Sequence, residues 1–558
     1  MKDSTSKAIA VGLGTFIVTY GCAAILAYWH AGEVNLLSYF RYSVMSMWDK
    51  GAVYYTGQLL SAFPGLCLVG TLGMGVAAIT GLGIGMVARL GFADPYKSRV
   101  TSYSIRKDPT ETHRRGTVIH GAEEVAWALK KSKEPLTNIA FGGVPVSLEA
   151  ISRHLLLVGL TGMGKSLAVN LLLDAEESSS RAFVVDNGGG VMTRYYNQRR
   201  GDIILNPLDS RCEPWSPFAE IESIFDCSTL ASAIVPDLPG QDKQWSDYAQ
   251  TFLRCILERL HGTDGAINRE FYRFVTTAPA EELSTLLEET EAGAYLAKGN
   301  EKLFGTARTI ATTNLQGFKQ LDQDAGANAF SIKKFMRANK GWMFIPYNDN
   351  QARYLSNIIC TWMDVAILAG MEKISTDKKY FVFDEFDSLG RVGSVRNGLL
   401  SKGRKYGCCA IIGVQVLAQI VERYGKEGAS AITGNCSTWL VFRTPDPDMS
   451  EQISKKIGNH QIERRVASNS ASRTRGKNRT VSNGQSEQVQ VVTERAVMPE
   501  EIQQLAKLEG FLMTNEGATC PIRLDFPPRR VPRTEPFVPK MNQSRINPVY
   551  QEATVGFE

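Results

Sequence analysis

Patterns that would mark a zinc or disulfide protein are missing from this sequence. The ten cysteines are scattered without a C-x-x-C pair, only Cys408 and Cys409 are adjacent, and the six histidines have no metal-ligand spacing. The cysteine pattern argues against a zinc motif or a disulfide framework and indicates a reducing compartment for most of the chain. The histidine pattern gives no support to a transition-metal site. The net charge of +5 is too small to identify a partner.

Glycine is abundant, by contrast, and three glycines fall in one short motif. Residues 159–166 read G-x-x-x-x-G-K-S, after an apolar strand-like run that begins at His154 and before a predicted helix at residues 167–175. The glycines let backbone N–H groups point at phosphate oxygens, and the helix presents its positive N-terminal end to the same anion. This order predicts a nucleoside triphosphate site rather than a plain glycine-rich turn.

Within this loop the residue types predict separate roles. Lys165 is expected to reach the β- and γ-phosphates, and the Ser166 hydroxyl to ligate Mg²⁺. The predicted nucleotide-binding residues are Gly159, Leu160, Thr161, Gly162, Met163, Gly164, Lys165, Ser166 and Leu167. His154, at the start of the preceding strand, is interpreted as structural.

A second apolar strand, residues 379–383, ends in two carboxylates. With a phosphate loop upstream, this pattern predicts the other half of a hydrolytic site, in which Asp384 holds Mg²⁺ and Glu385 polarises the attacking water. Apolar strands that end in acids are common, so the pattern depends on the upstream motif for its meaning. More than two hundred residues separate Ser166 from Asp384, far beyond the needs of one crossover, which predicts an inserted segment.

Three more side chains are candidates for the catalytic machinery. Gln415 ends an apolar strand and is predicted to sense the γ-phosphate or orient water, with an exposed strand-end amide as the alternative. Arg404 and Arg443 are the candidates for an arginine finger supplied by a neighbouring subunit, with solvated loop cations as the alternative. Lys402, Arg404 and Lys405 could instead contact nucleic-acid phosphates in a central channel.

Two long uncharged runs, residues 9–29 and 63–88, precede these motifs. Two runs of bilayer-spanning length so close together favour a two-helix transmembrane hairpin over a cleaved signal peptide or a buried core helix. Basic residues precede the first run and follow the second, whereas the loop between them carries only Arg41 and Lys50. This distribution predicts that both termini and the bulk of the chain are cytoplasmic, with residues of about 30–62 outside.

The remaining chain divides by its periodicity. A helix is predicted at residues 122–131, strand signals nearly vanish between residues 226 and 318, and residues 464–487 are interpreted as a flexible polar loop that either contacts nucleic acid or is simply disordered. The predicted divisions are residues 1–90 as the hairpin, 91–225 as a connector and the first part of a nucleotide-binding domain, 226–320 as an inserted all-α domain, 321–526 as the second part of the nucleotide-binding domain, and 527–558 as a flexible Pro-rich tail.

The ordered set of motifs resembles the type IV coupling protein family, the membrane-anchored ATPases of conjugation and type IV secretion. The resemblance covers most of the chain and rests on the two apolar runs, Gly-Val-Pro-Val at 143–146, Arg153-His154-Leu155-Leu156 before the phosphate loop, the helical insertion, Asp384-Glu385, Gly403-Arg404-Lys405-Tyr406-Gly407, and Gln415 with Ala418-Gln419 and Tyr424-Gly425. One departure is the Gly-rich segment after Asp186, where a lysine or a further acid is expected. The role of Asp186, a weak candidate at a strand end, is therefore open.

This resemblance implies an α/β fold with a RecA-like P-loop NTPase core, ATP and Mg²⁺ as ligands, and a homo-hexameric ring at the bacterial inner membrane. It also implies delivery of single-stranded DNA with an attached relaxase, or of effector protein, to the components of a type IV secretion channel. The alternatives are a DNA pump of the FtsK or HerA type and a non-pumping substrate receptor gated by ATP. A transporter of the ABC class is disfavoured because L-S-G-G-Q is missing, and a GTPase because N-K-x-D is missing.

Overall fold

A computed structural model describes residues 111–177, 180–237, 242–338, 341–474, 480–526 and 530–540. The runs predicted to form the membrane hairpin, residues 9–29 and 63–88, lie outside these ranges. Among the helices in the described ranges, none combines the length and apolar character needed to cross a bilayer.

The described residues form fourteen β-strands in three sheets. In chain order the strands are β1 (Glu111–Gly116), β2 (Leu136–Phe141), β3 (Val144–Ser147), β4 (Leu155–Val158), β5 (Arg181–Asn187), β6 (Ile203–Ile204), β7 (Met343–Tyr347), β8 (Lys379–Phe383), β9 (Cys408–Val414), β10 (Thr438–Phe442), β11 (Asn459–Thr474), β12 (Thr480–Arg495), β13 (Glu509–Met513) and β14 (Thr519–Arg523). The central sheet has the order β14-β13-β10-β4-β9-β8-β5-β7-β6. From β10 to β6 the strands run parallel, and β13 and β14 continue the sheet antiparallel.

The parallel strands have the composition of a sheet that is covered on both faces. Every residue of β4, β7, β9 and β10 is buried, which explains why these strands are apolar throughout rather than alternating. Parallel strands also end at a common edge, where ligands of such sheets usually bind. We call this edge the carboxyl edge and the opposite one the amino edge.

The described residues also contain fourteen α-helices of five residues or more. These are α1 (Ala122–Lys131), α2 (Leu148–Ser152), α3 (Lys165–Glu176), α4 (Gly190–Tyr195), α5 (Ile224–Ile234), α6 (Lys243–Leu260), α7 (Asn268–Thr276), α8 (Ala280–Leu286), α9 (Glu301–Asn314), α10 (Ile332–Arg337), α11 (Asp349–Gly370), α12 (Leu417–Asn435), α13 (Pro447–Ile457) and α14 (Pro499–Gln503). The helix predicted at residues 122–131 is confirmed as α1.

Helices cover the central sheet on both faces. Every second residue of β4, Leu155 and Leu157, joins a buried cluster with Leu172 and Leu173 of α3, as the two-residue period of a strand requires. On the other face α11 approaches β8 so closely that a Cβ on Gly370 would lie 3.0 Å from Cζ of Phe381. The result is a three-layer α/β arrangement in which α3 is the helix that follows the phosphate loop.

Between β6 and β7 the described residues form helices and no strand. The buried carboxylate of Glu220 ties the beginning of this helical segment to its end, because it accepts from Ser331 Oγ at 3.0 Å and from the Ile332 N–H at 2.6 Å. An anionic oxygen is favourable at that position, since α10 begins there with free N–H groups. The division into separate domains stays a prediction.

The prediction of a flexible loop at residues 464–487 is wrong for residues 464–474 and 480–487, and residues 475–479 lie outside the described ranges. Strands β11 and β12 form a long antiparallel ladder from Asn459 opposite Arg495 to Thr474 opposite Thr480, and β1 pairs with β11 as a third strand. The polar composition concealed these strands, because a sheet surface in contact with water does not need apolar residues.

The prediction of a flexible tail does not hold for residues 530–540. Arg533 pairs with Glu177 at 2.6 Å, and its backbone N–H donates to the Thr193 carbonyl at 2.8 Å. Farther along, the Ser210 N–H donates to the carbonyl of Val538 at 2.8 Å. The segment is held by backbone hydrogen bonds and ion pairs, which its low apolar content did not reveal.

Candidate nucleotide-binding site

The loop between β4 and α3 has the backbone shape that its glycines predict. Gly159, Gly162 and Gly164 have φ angles of 148°, 78° and 139°. A Cβ on Gly159 would lie 2.7 Å from Cβ of Phe442, and one on Gly164 would lie 2.7 Å from Cε1 of the same ring. Positive φ and the close Phe442 side chain both require glycine at these two positions.

Neighbouring segments hold this loop through its backbone. The Leu160 N–H donates to the Arg443 carbonyl at 3.0 Å, and the Leu508 N–H donates to the Met163 carbonyl at 3.0 Å. Thr161 is exposed at the outer side of the loop, and Leu167 lies half-buried in the first turn of α3. The chain itself therefore sets the shape of the loop.

Lys165 is buried at the start of α3, and its ammonium group donates to the Gly159 carbonyl at 2.6 Å. Burial lowers the pKa of this lysine, while the nearby carboxylates of Asp384, Asp387 and Glu385 act to raise it. Because the ammonium group of Lys165 bonds to a carbonyl of the phosphate loop, it lies where it would contact a phosphate bound in that loop.

Ser166 and Asp384 meet although 218 residues separate them in the chain. The Ser166 hydroxyl donates to the two carboxylate oxygens of Asp384 at 3.3 and 3.2 Å. Burial raises the pKa of Asp384, the hydroxyl of Ser166 and the charge of Lys165 lower it, and the charge of Glu385 raises it. A hydroxyl and a carboxylate are hard oxygen donors of the kind that Mg²⁺ prefers, so this pair fits the predicted metal.

Glu385 follows Asp384 and is held by two amide side chains from the flanking strands. Gln415 Nε2, after β9, donates to Glu385 Oε1 at 2.6 Å. Asn187 Nδ2, at the end of β5, donates to Glu385 Oε2. The sequence indicated Gln415 but missed Asn187, whose only signal was its position at the end of a strand.

Two further acids at the carboxyl edge bond to backbone N–H groups. Asp186 is buried and accepts from the Met192 N–H at 2.7 Å, so it fixes the start of α4. Burial raises the pKa of Asp186 to about 7, and its hydrogen bonds to α4 act in the opposite direction. Asp387, which the sequence did not single out, accepts from the N–H groups of Gln415 and Val416 at 2.9 and 3.1 Å.

The two finger candidates lie at opposite edges of the sheet. Arg443 follows β10 at the carboxyl edge, beside the phosphate loop, and its exposed side chain has no hydrogen-bond or ion-pair partner among the described residues. Arg404 precedes β9 at the amino edge and pairs with Glu149 at 3.4 Å. The structure thus brings together Lys165, Ser166, Asp384, Glu385 and Gln415, and it leaves Arg404 away from them.

This site and its sheet have counterparts in known proteins. A family model described as the type IV secretion-system coupling protein DNA-binding domain matches residues 138–525. The chain is 26% identical over 348 residues to the coupling protein TraD of Escherichia coli (strain K12), a match that covers 60% of this chain and 48% of TraD. It therefore spans about half the length of that relative.

Solved structures of one conjugative coupling protein match more completely. The unbound form of TrwBdeltaN70 has a TM-score of 0.67 at 26% identity, which covers 76% of this chain and 96% of the other. The plasmid coupling protein TrwB in complex with ADP and Mg²⁺ has a TM-score of 0.66 at 26% identity, covering 77% and 98%. The predicted α/β, RecA-like core is confirmed by this likeness. With a family model that spans well over half of its length, the chain belongs to the type IV coupling protein family.

Proposed function

We propose that this protein is an inner-membrane ATPase that delivers single-stranded DNA with its attached relaxase, or effector protein, to a type IV secretion channel. One observation carries the enzymatic part of this proposal. Two motifs more than two hundred residues apart meet at one edge of the sheet, where Ser166 contacts Asp384 and Lys165 lies beside both acids. TrwB, with a similar fold, has been solved with ADP and Mg²⁺.

The geometry supports a simple division of labour in ATP hydrolysis. The backbone N–H groups of the phosphate loop and the start of α3 bind the phosphates, and Lys165 exchanges its bond to the Gly159 carbonyl for phosphate oxygens. Ser166 and Asp384 would hold Mg²⁺, which neutralises charge on the transferred phosphoryl group. Glu385 accepts a proton from the attacking water, and Arg443 or Arg404 of a neighbouring subunit supplies the finger.

The location and the partners are part of the same proposal. Residues 9–29 and 63–88 would span the inner membrane as a hairpin with both termini and the bulk of the chain cytoplasmic, and six copies would form a ring. The match to a family model whose description names a DNA-binding domain supports DNA as a substrate. Both TraD and TrwB are named as coupling proteins, which supports delivery to a channel.

Full-length protein in mild detergent tests the proposal. The rate of ATP hydrolysis is measured with and without single-stranded DNA, alongside the mass of the assembly and a Lys165→Ala control. We expect Mg²⁺-dependent turnover that DNA increases, and none in the control. A protein that binds ATP but does not hydrolyse it contradicts the motor. Turnover that DNA leaves unchanged favours a receptor role or protein cargo.

A further inference from the structure

Two amide side chains from neighbouring strands hold the carboxylate of Glu385, one at each oxygen. Gln415 Nε2 donates to Oε1 at 2.6 Å, and Asn187 Nδ2 donates to Oε2. The same nitrogen of Asn187 donates to Asp349 Oδ1 at 3.0 Å. Because an amide nitrogen carries two hydrogens, Asn187 spans two carboxylates, one in the site and one at the start of α11.

Sheet order explains how three distant residues come together. β8 lies between β9 and β5, so the residues that follow or end these strands are neighbours at the carboxyl edge. Glu385 comes just after β8, Gln415 just after β9, and Asn187 is the last residue of β5. The two amides thus approach the carboxylate from opposite sides.

We propose that Asn187 and Gln415 form an amide clamp that positions Glu385 to accept the proton of the attacking water, with Asn187 as a positioning residue that also connects the site to α11. The inference rests on the proposed ATPase function. Each carboxylate oxygen can accept two hydrogen bonds, so one bond per oxygen fixes the orientation of Glu385 and leaves a lone pair for the proton of water. A general base works only when it is held within hydrogen-bond reach of that proton.

The clamp predicts effects on turnover rather than on nucleotide binding. In full-length protein, Asn187→Ala and Gln415→Ala are each expected to lower kcat by about tenfold or more, while KM for ATP and the Kd of a non-hydrolysable analogue change by less than about threefold. The kcat of the double variant is expected to lie within about threefold of the kcat of the less active single variant, because both amides act on one carboxylate.

A matched pair of substitutions separates this role from a structural one. Asn187→Asp keeps the size of the side chain but places a third carboxylate between Glu385 and Asp349, so kcat should fall by at least about tenfold. Asn348→Asp adds the same charge at the same edge, where Asn348 caps α11 through the Gln351 N–H without contacting Glu385. Aspartate caps as well as asparagine, so this variant should keep kcat within about twofold.

The results that would overturn the clamp are distinct from those that would overturn the ATPase. If wild-type protein hydrolyses ATP and Asn187→Ala keeps kcat within about twofold, or if the two single losses multiply fully in the double variant, the clamp is wrong while the proposed function stands. The clamp is also wrong if Asn187→Asp and Asn348→Asp lose kcat equally. If wild-type protein binds ATP without hydrolysing it, the proposed function and the clamp fall together. Thermal unfolding midpoints of all variants confirm that each is folded.

Discussion

The two edges of the central sheet differ in the partners of their polar side chains. At the amino edge two half-buried cations, Lys379 and Arg181, bond to fixed backbone groups. Lys379 Nζ donates to the Gly370 carbonyl at 2.8 Å, and the Arg181 guanidinium donates to the carbonyls of Met336 and Phe335 at 2.7 and 2.6 Å. Such bonds satisfy the main chain, and breaking one leaves a buried group without a partner.

At the carboxyl edge the polar side chains bond chiefly to one another. Ser166 bonds Asp384, and Glu385 bonds both Asn187 and Gln415. The exceptions are Asp186 and Asp387, which accept from backbone N–H groups, and Lys165, whose partner is the Gly159 carbonyl of the phosphate loop. The side-chain bonds of Lys165, Ser166 and Glu385 can be exchanged for bonds to ligand atoms without removing hydrogen bonds of the sheet itself. The amino edge is therefore built for stability and the carboxyl edge for chemistry.

The largest effect expected from this difference concerns two lysines, the buried Lys165 and the half-buried Lys379. Lys165→Ala should lower ATP turnover by at least about 1000-fold, because it removes the charge that faces the phosphates. Lys379→Ala, at the amino edge, should keep turnover within about twofold and cost about 1 kcal/mol of stability through its lost bond to Gly370. Steady-state hydrolysis and thermal unfolding of the two variants measure both quantities. Equal losses of turnover would remove the functional distinction between the edges.

The next effect separates binding from hydrolysis within the carboxyl edge. Glu385→Gln is expected to lower kcat by about 100-fold or more, since an amide cannot accept the proton of the attacking water. ATP should still bind, because Lys165, Ser166 and the loop are unchanged, so filter binding should show a retained nucleotide. The control is Glu149→Gln, whose carboxylate lies at the amino edge beside Arg404. Normal turnover in Glu385→Gln would rule out Glu385 as the base.

A smaller effect distinguishes the two arginines. Arg443 has an exposed side chain beside the phosphate loop, whereas the charge of Arg404 is already paired with Glu149. We expect Arg443→Ala to lower turnover by about tenfold or more and Arg404→Ala to lower it less. The reason is that the guanidinium of Arg443 can contact a phosphoryl group without first breaking an ion pair.

Mixed assemblies show whether the effect acts between subunits. Each arginine variant is combined with the Lys165→Ala protein, in which every subunit lacks a working phosphate site. Turnover in the mixture above the sum of the two separate proteins means that one variant supplies the finger and the other the site. A larger loss for Arg404→Ala than for Arg443→Ala would place the finger at the amino edge instead.

Much of the site could be predicted because its signals are local. The spacing of Gly159, Gly164 and Lys165 specifies a loop shape by itself, and Asp384-Glu385 has meaning as the end of an apolar strand. The contact of Ser166 with Asp384 follows once both strands belong to one parallel sheet. The role of Asn187 could not be read in this way, because it depends on β5 being the neighbour of β8, which only the strand order reveals.

The regions outside the site were harder to predict for a different physical reason. The strands β11 and β12 are rich in serine, asparagine and glutamine, and their pairing comes from backbone hydrogen bonds that composition does not show. Residues 530–540 are similar, since Arg530 and Arg533 pair with Asp174 and Glu177 of the chain around α3 rather than burying apolar area. Helices, strands and segments whose apolar residues show no periodicity cannot be predicted from the sequence pattern, even when many hydrogen bonds or ion pairs hold them.

The smallest expected effect on nucleotide binding comes from His154, which tests the amino edge as a purely stabilising region. This buried residue adopts a φ of 67°, its Nδ1 accepts from the Ala410 N–H at 3.0 Å, and burial lowers its pKa from 6.5 to about 4. The unfolded chain therefore binds the proton more tightly than the folded protein, so stability is complete above pH 6.5 and declines as the pH falls towards 4. Between pH 7.5 and 5 this should remove about 2 kcal/mol.

His154→Asn keeps an acceptor near the Ala410 N–H and tolerates the positive φ, but it does not titrate in this range. We expect the wild-type protein to be more stable than the variant at pH 7.5 and to lose that advantage by about 2 kcal/mol at pH 5, with analogue binding within about twofold throughout. Thermal unfolding midpoints of the pair across this pH range provide the measurement. A difference that does not change with pH would mean that His154 contributes only packing, whereas a loss of nucleotide binding would show that the amino edge reaches the site after all.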